Sequence, residues 1–331
     1  MRHLLLATLC ASSFLVCSAT RDTLRFQLHG LIDGYSVLGK KNDLGKVPYL
    51  VSSSNLNSFQ INLNLFELTW ENTKWKYALS PAIGSYMSQN YANEKWFKRW
   101  IYEAYVQRKW NQSSLALGVF SSPYTQETPK SSDHVSYSRS LAPEYVPYYI
   151  SGLKYNKTIN ACWSLSLFAM NGWQKMDFAH FSPSFGSLLE FKRDRWKFNW
   201  STYVGRETNM QAKEPQTRML SEWNMQYSQG KWLFQSCLFV GSQGINFSRN
   251  WGQMNAQLAY YVSNRMKLYG RMEYFIDPTN VQVSSTQLAS ESVGLSYSLN
   301  DYMNIGTEFR CFHSEKKAFE PYQFLFFQLK F

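Results

Sequence analysis

The chain has 331 residues, 44% of them hydrophobic and 17% aromatic, with a formal net charge of +11. Its 12 Trp, 22 Tyr and 23 Phe exceed what a soluble core needs, while a mean hydropathy of −0.39 and the lack of a long apolar run beyond the N-terminus argue against transmembrane helices. A basic balance can mark a nucleic-acid partner; in an exported chain anionic solutes and lipid head groups are the expected partners, and nucleic acid is not.

Export is the reading of residues 1–19. Arg2 supplies the positive region, Leu4 to Val16 is apolar but too short to span a bilayer, and Cys17-Ser18-Ala19 offers small residues before a cut. Cleavage after Ala19 removes one basic and no acidic residue, taking the charge from +11 to +10. Cys162, Cys237 and Cys311 remain. They are odd in number, far apart and outside any CxxC or Cys/His ligand spacing, so at most one disulfide and no metal or other cofactor is expected.

Taken in order, the mature chain 20–331 reads as strands. The first runs from Leu24 to Leu38 and the second from Ser58 to Glu71, where the apolar phase slips and predicts a bulge near Leu65. Asn72-Thr73-Lys74 is a tight turn. Trp75 to Gly84 alternates cleanly, as do Trp100 to Trp110 and Leu115 to Val119. Strands at Tyr148–Asn156, Cys162–Trp173, Phe185–Arg193 and Arg195–Arg206 follow. Further strands cover Thr217–Ser228, Trp232–Ser242, Trp251–Ser263, Met266–Ile276, Leu288–Leu299 and Met303–Ser314. After a loop at Glu315–Pro321 the chain ends on Tyr322–Phe331. There Leu325, Phe327, Leu329 and Phe331 alternate with Phe326, Gln328 and Lys330. An aromatic strand with no tail is an aggregation hazard unless its edge is paired, and a closed barrel pairs the last strand with the first.

The count is sixteen, with fourteen as the alternative because strands 8 and 11 are weakly patterned. Long and short connections alternate throughout. The fold expected is therefore all-β: a single transmembrane antiparallel up-and-down β-barrel with short periplasmic turns and long external loops. Tyr322, Phe327, Leu329 and Phe331 form its candidate assembly signal.

If the apolar faces meet lipid, the opposite faces meet the lumen. They carry Glu103, Lys109, Lys154, Lys197, Glu222, Lys267, Arg271, Glu273, Glu308 and Arg310, the candidate pore-lining set. So many polar groups would be costly in a dry core and cost little in a water-filled one. Sixteen strands enclose enough space for such a channel. The longest connection, Pro123 to Pro147, is the third long loop, and loops of such length are usually functional. Folded into the lumen, it would constrict the pore with Glu127, Lys130, Asp133, Arg139 and Glu144. The alternative is a loop packed over the rim.

Several short motifs add a family resemblance. Gly30-Leu31-Ile32-Asp33-Gly34-Tyr35, Glu103-Ala104-Tyr105-Val106, Gly118 with Ser122-Pro123-Tyr124, Tyr137-Ser138-Arg139-Ser140, Pro147-Tyr148-Tyr149 with Gly152, and Asn171-Gly172-Trp173 resemble the OmpL-like β-barrel porin family. The resemblance spans Gly30 to Trp173. It implies an outer-membrane diffusion channel, inserted by the barrel-assembly machinery and surrounded by outer-membrane lipid, with no defined ligand. Small hydrophilic solutes, with a preference for anions from the +10 balance, are the expected cargo, and a homo-oligomer is compatible with it. The competing readings are a structural or adhesive barrel with a closed lumen, and a barrel enzyme. The enzyme is the weaker, since none of His29, His134, His180 and His313 sits in a GxSxG or HExxH setting.

Overall fold

The computed structural model describes residues 22–40, 42–177, 182–208, 214–282, 287–315 and 317–331; residues 1–19, expected to be an export signal, lie outside them. Sixteen strands follow in chain order. They are β1 (Arg25–Gly39), β2 (Phe59–Glu71), β3 (Trp75–Ile83), β4 (Ile101–Trp110), β5 (Ser113–Ser121), β6 (Tyr149–Thr158), β7 (Trp163–Met170) and β8 (Ser184–Arg193). Then come β9 (Trp196–Glu207), β10 (Gln216–Gln229), β11 (Trp232–Gln243), β12 (Arg249–Tyr261), β13 (Met266–Ile276), β14 (Gln287–Ser298), β15 (Met303–Ser314) and β16 (Lys317–Lys330). Each pairs antiparallel with its chain neighbours, and β1 pairs with β16, so the sheet closes on itself. A short α-helix, α1 (Ser85–Asn90), lies in the connection between β3 and β4.

Period-two alternation sorts the side chains. Leu79, Leu117, Leu153, Leu238, Met254, Met272, Val293 and Leu325 stand exposed on the outer face. Trp75, Trp110, Trp163, Trp196 and Trp232 are exposed beside the short turns. An apolar band flanked by aromatic residues is uphill in water and matched by a bilayer. The short turns close for local reasons. Asn72, Asn160 and Asn300 each accept two backbone N–H bonds through Oδ1. Asn111, Asp194 and Gly230 adopt the left-handed conformation that two-residue hairpins require.

The closing seam depends on absent side chains. The Phe327 ring lies over Gly34, where an added Cβ would meet Cε1 at 2.1 Å, and Phe331 covers Gly30 in the same way. Phe327 also stacks on Phe59 at 6.0 Å and Phe331 meets Phe66 edge-on at 5.9 Å. Phe331 exchanges backbone bonds with Gly30 at 2.8 and 3.1 Å, so no free edge is left at the C-terminus. Tyr322 stands apart from Phe327, Leu329 and Phe331. It faces the interior, is buried, and packs over Gly39.

Three local expectations need correction. The bulge in β2 sits at Asn62, where the pairing jumps from Asp33↔Leu63 to Gly34↔Ile61. Asn62 stays inside because its amide donates to Asp33 Oδ2 at 2.8 Å and accepts from the Ser53 N–H at 3.1 Å. Leu63 and Leu65 then point inward, and Asn64 shares the outer face with its partner Ile83. The last connection is not Glu315–Pro321: β16 begins at Lys317. Residues 317–321 pair with β15 alone, since β1 stops pairing at Gly39↔Tyr322. Pro321 thus lies at a sheet edge, where a missing N–H is tolerated. With β15 and β16 joined across 315–316, the alternation of long and short connections fails at the last hairpin, whereas the five residues 244–248 between β11 and β12 still exceed the turns on either side.

Candidate functional site

The connection between β5 and β6, residues 122–148, lies inside the barrel, and residues 134–150 are buried without interruption. It leaves the wall above Gly118↔Gly152, a cross-strand pair with φ of +147° and +139°. A Cβ at either would meet a neighbouring carbonyl oxygen, of Ala104 or Ala169, at 2.1 Å. Only glycine supplies that conformation and that clearance.

The first limb is anchored to β9 and β10. The Tyr124 hydroxyl donates to the Thr202 carbonyl at 3.1 Å, and the Thr125 N–H donates to Glu222 at 2.5 Å. Glu127 then ties this limb to the returning one. Its carboxylate accepts from the Ser140 N–H at 3.0 Å and from Gln257 at 2.9 Å, and also takes the Ser140 hydroxyl. Burial opposes its charge, but Arg271, His134 and these hydrogen bonds outweigh burial and hold its pKa below the usual value.

The turn Ser136–Leu141 is gripped by four charged residues of β13 and β15. Arg271, Glu273, Glu308 and Arg310 have fully buried side chains and pair with one another: Arg271 with Glu273 at 3.2 Å and with Glu308 at 3.4 Å, and Arg310 with Glu273 at 2.5 Å. Their remaining capacity goes to loop backbone. Glu308 accepts the Ser138 N–H at 3.0 Å and Glu273 the Leu141 N–H at 2.5 Å. Arg271 donates to the Ser138 carbonyl at 2.5 Å and Arg310 to the Arg139 carbonyl at 2.8 Å. Buried charges are tolerable only when paired and hydrogen-bonded to this degree. Serine at 136, 138 and 140 lets the loop backbone come close to the wall.

Aromatic packing completes the seat. Tyr137 stacks on Phe326 with ring centroids 4.0 Å apart and an interplanar angle of 1°, and its hydroxyl donates to Asp33 at 3.1 Å. Tyr145 stacks on Phe275 at 4.1 Å. Val47, Leu50 and Leu56 from the first long connection join the same buried cluster. Arg139 lies over the rings of Tyr86 and Tyr148 at 5.7 and 5.4 Å. Glu144 accepts the Val51 N–H at 2.8 Å, and burial, opposed by Arg139, pushes its carboxyl up.

Glu127, Arg139 and Glu144 are therefore buried in loop contacts, while Lys130 and Asp133 are partly exposed and pair with Glu67 at 3.2 Å and Lys330 at 2.9 Å. Of the candidate wall residues, Glu222, Arg271, Glu273, Glu308 and Arg310 face inward but lie dry beneath the loop, not on a wetted surface. A covering loop excludes the water that was to solvate them. Lys267 donates to the His134 carbonyl at 3.1 Å. Lys109 pairs with Glu71 at the short-turn rim.

Open space remains on the other side. A cavity of about 550 Å³ lies between the first limb of the loop and the wall from β4 to β9, lined by Glu103, Gln107, Lys154, Asn156, Lys197 and Asn199 among others. Of the candidate wall residues, Glu103, Lys154 and Lys197 are brought together here. Glu103 accepts the Ser121 N–H at 2.9 Å. Lys154 rests on the rings of Phe120 and Phe168, 6.0 and 5.7 Å from their centroids. Sequence reasoning passed over Glu190, Asn199 and Lys192 on this wall. Their inward parity in β8 and β9 was the available signal.

The family model described as "Putative beta-barrel porin-2, OmpL-like" matches residues 25–323, so the chain belongs to that family and is an integral outer-membrane β-barrel of the porin class. The match extends well past Trp173, where the short motifs end. OmpF of Salmonella typhi, in a complex with daunomycin, superposes with a TM-score of 0.69 at 11% identity, covering 95% of this chain and 100% of that one. OmpT of Vibrio cholerae, an outer membrane protein in its trimer form, gives 0.65 at 9%, over 94% and 100%. An anion-selective porin from Comamonas acidovorans gives 0.63 at 7%, over 93% and 100%. At such identities the likeness is one of fold. No curated protein sequence matches.

Proposed function

We propose that the protein is a passive diffusion channel for small hydrophilic solutes, with a preference for anions. The observation that carries this is the lopsided lumen. The third loop is clamped to the wall from β12 to β16, which leaves a polar cavity against β4–β9 where Lys154 and Lys197 have no ion-pair partner among the described residues. The loop sets the width of the path, and lysines on its far wall bias which ions enter. Residues 1–19 act as the cleaved export signal, and the terminal strand with Phe331 is the segment offered to the assembly machinery. Trimerisation is a further part of this reading, because one porin-fold neighbour is a trimer. Catalysis is not part of it: His134 is buried, with Nε2 on the Thr128 carbonyl, out of reach of a substrate.

The test is single-channel conductance of the refolded mature protein in a planar bilayer under a salt gradient. Discrete steps and an anion-favouring reversal potential are expected. A folded barrel that never conducts would overturn the channel. The second reading, a structural barrel with a closed lumen, draws on the apolar packing of Tyr137, Tyr145, Val47 and Leu50 against Phe326, Phe275 and Phe312 across the outer half of the interior.

A further inference from the structure

Two lysines of the open wall stand directly opposite each other in the sheet. Lys197 lines the cavity, and Lys192 is its directly opposed partner on the neighbouring strand, so both project from the same inner face beside the 194–195 turn. Like charges directly opposite on a sheet repel. Neither lysine has a carboxylate within ion-pair distance among the described residues. Glu190, one step inward on the same face, takes the Ser164 hydroxyl at 3.2 Å. Amides flank the pair. Gln226 faces Lys197 from β10 and accepts from Gln235 at its Oε1, which leaves its NH2 group to donate, and Asn199 stands one step inward on the same face. Lys154 lies deeper in the same cavity.

Two ammonium groups that repel each other, with amide donors beside them, complement one compact dianion with several acceptor oxygens. A monocarboxylate has too little charge to neutralise both. We propose that Lys192 and Lys197 form a binding site for a phosphoryl group at the short-turn mouth of the cavity, with Lys154 the next cation along the path, so that the channel favours phosphate or small phosphorylated solutes over chloride. This rests on reading the cavity as the solute path. The shared chemistry is the phosphoryl dianion. A bare phosphate would use the lysines alone, whereas a sugar phosphate would also engage Asn199 and Gln226.

The experiment measures block of chloride current by inorganic phosphate and by a hexose phosphate, for the native protein and for K192Q/K197Q, with K231Q at an exposed turn as control. Each variant is first shown to be folded by heat-modifiable migration. The expected result is phosphate block whose half-inhibiting concentration rises at least tenfold in K192Q/K197Q and is unchanged in K231Q. Tighter block by the hexose phosphate, weakened by N199A, would identify the phosphorylated solute as the ligand. Equal block in native and double variant, or none in either, would overturn the site while leaving the channel standing. A phosphorus NMR titration of the folded, detergent-solubilised barrel separates the two readings. Phosphate binding lost in K192Q/K197Q without any conductance would sink the channel and keep the site, and absence of binding would sink the site.

Discussion

The two walls of the lumen use the same residue types to opposite ends. On the β12–β16 side Arg271, Glu273, Glu308 and Arg310 are fully buried, paired and spent on loop backbone. On the β4–β9 side Lys154, Lys192 and Lys197 have no such partner among the described residues and face open space or solvent. A charge inside a barrel is thus not necessarily a pore-lining charge. Where a loop excludes water, the charge must be neutralised in place and becomes a fastener. Where water remains, it is free to meet a solute.

The comparison is broken most strongly by Arg271→Met. It strands Glu308 and Glu127 in the dry seat, and removing one member of a buried network costs about 3–5 kcal/mol. The loop should detach, seen as proteolytic cleavage within residues 130–140 and as larger, noisier conductance steps. The double variant Arg271→Met/Glu308→Met should cost less than the sum of its parts, and strict additivity in a double-mutant cycle would refute the coupling.

Acid should loosen the same side next. Burial holds the His134 imidazole at a pKa of about 4, below its ordinary 6.5, with Glu127, Asp133 and the Thr128 carbonyl pulling upward and Arg139 downward. Its Nδ1 is buried without a partner. The pKa is depressed on folding, so the stabilisation is complete above pH 6.5 and is lost as pH falls towards 4. The lost contribution is at most about 3 kcal/mol. Conductance noise rising over that window in the native protein, and flat in His134→Gln, is the expected result; identical profiles would count against it.

Tyr137→Ala tests the apolar part of the seat. It removes a stacked ring pair and one donor to buried Asp33, for roughly 2 kcal/mol, read as a lower temperature of heat modification. The smallest stability change belongs to the open wall. Lys154→Gln should move that temperature by less than the equivalent of about 0.5 kcal/mol, yet shift the reversal potential towards cations. A large loss of stability there would erase the difference between the walls.

The family's short motifs acquire physical meaning in this arrangement. Gly118 and Gly152 release the loop from the wall, Tyr137-Ser138-Arg139-Ser140 is the segment gripped by the arginines and glutamates, and Gly30 and Gly34 make room for the terminal rings. Each motif was visible as a string of residues; the partner that explains it lay far away in the chain.

What the sequence determined by itself was local. Alternation of period two set the strands and their faces, Asn, Asp and Gly set the short turns, and the aromatic last strand called for a closed barrel. Those features rest on neighbours within a few residues, which is why the inward parity of Glu103, Arg271 and Glu308 was legible. The tertiary structure decided which inward residues are dry. That depends on where residues 122–148 come to rest, and the contacts that hold them join positions as remote as Ser138 and Glu308, 170 residues apart in the chain. Only the closing of the sheet brings those positions together, since pairing β1 with β16 carries β13 and β15 round to face the returning limb of the loop.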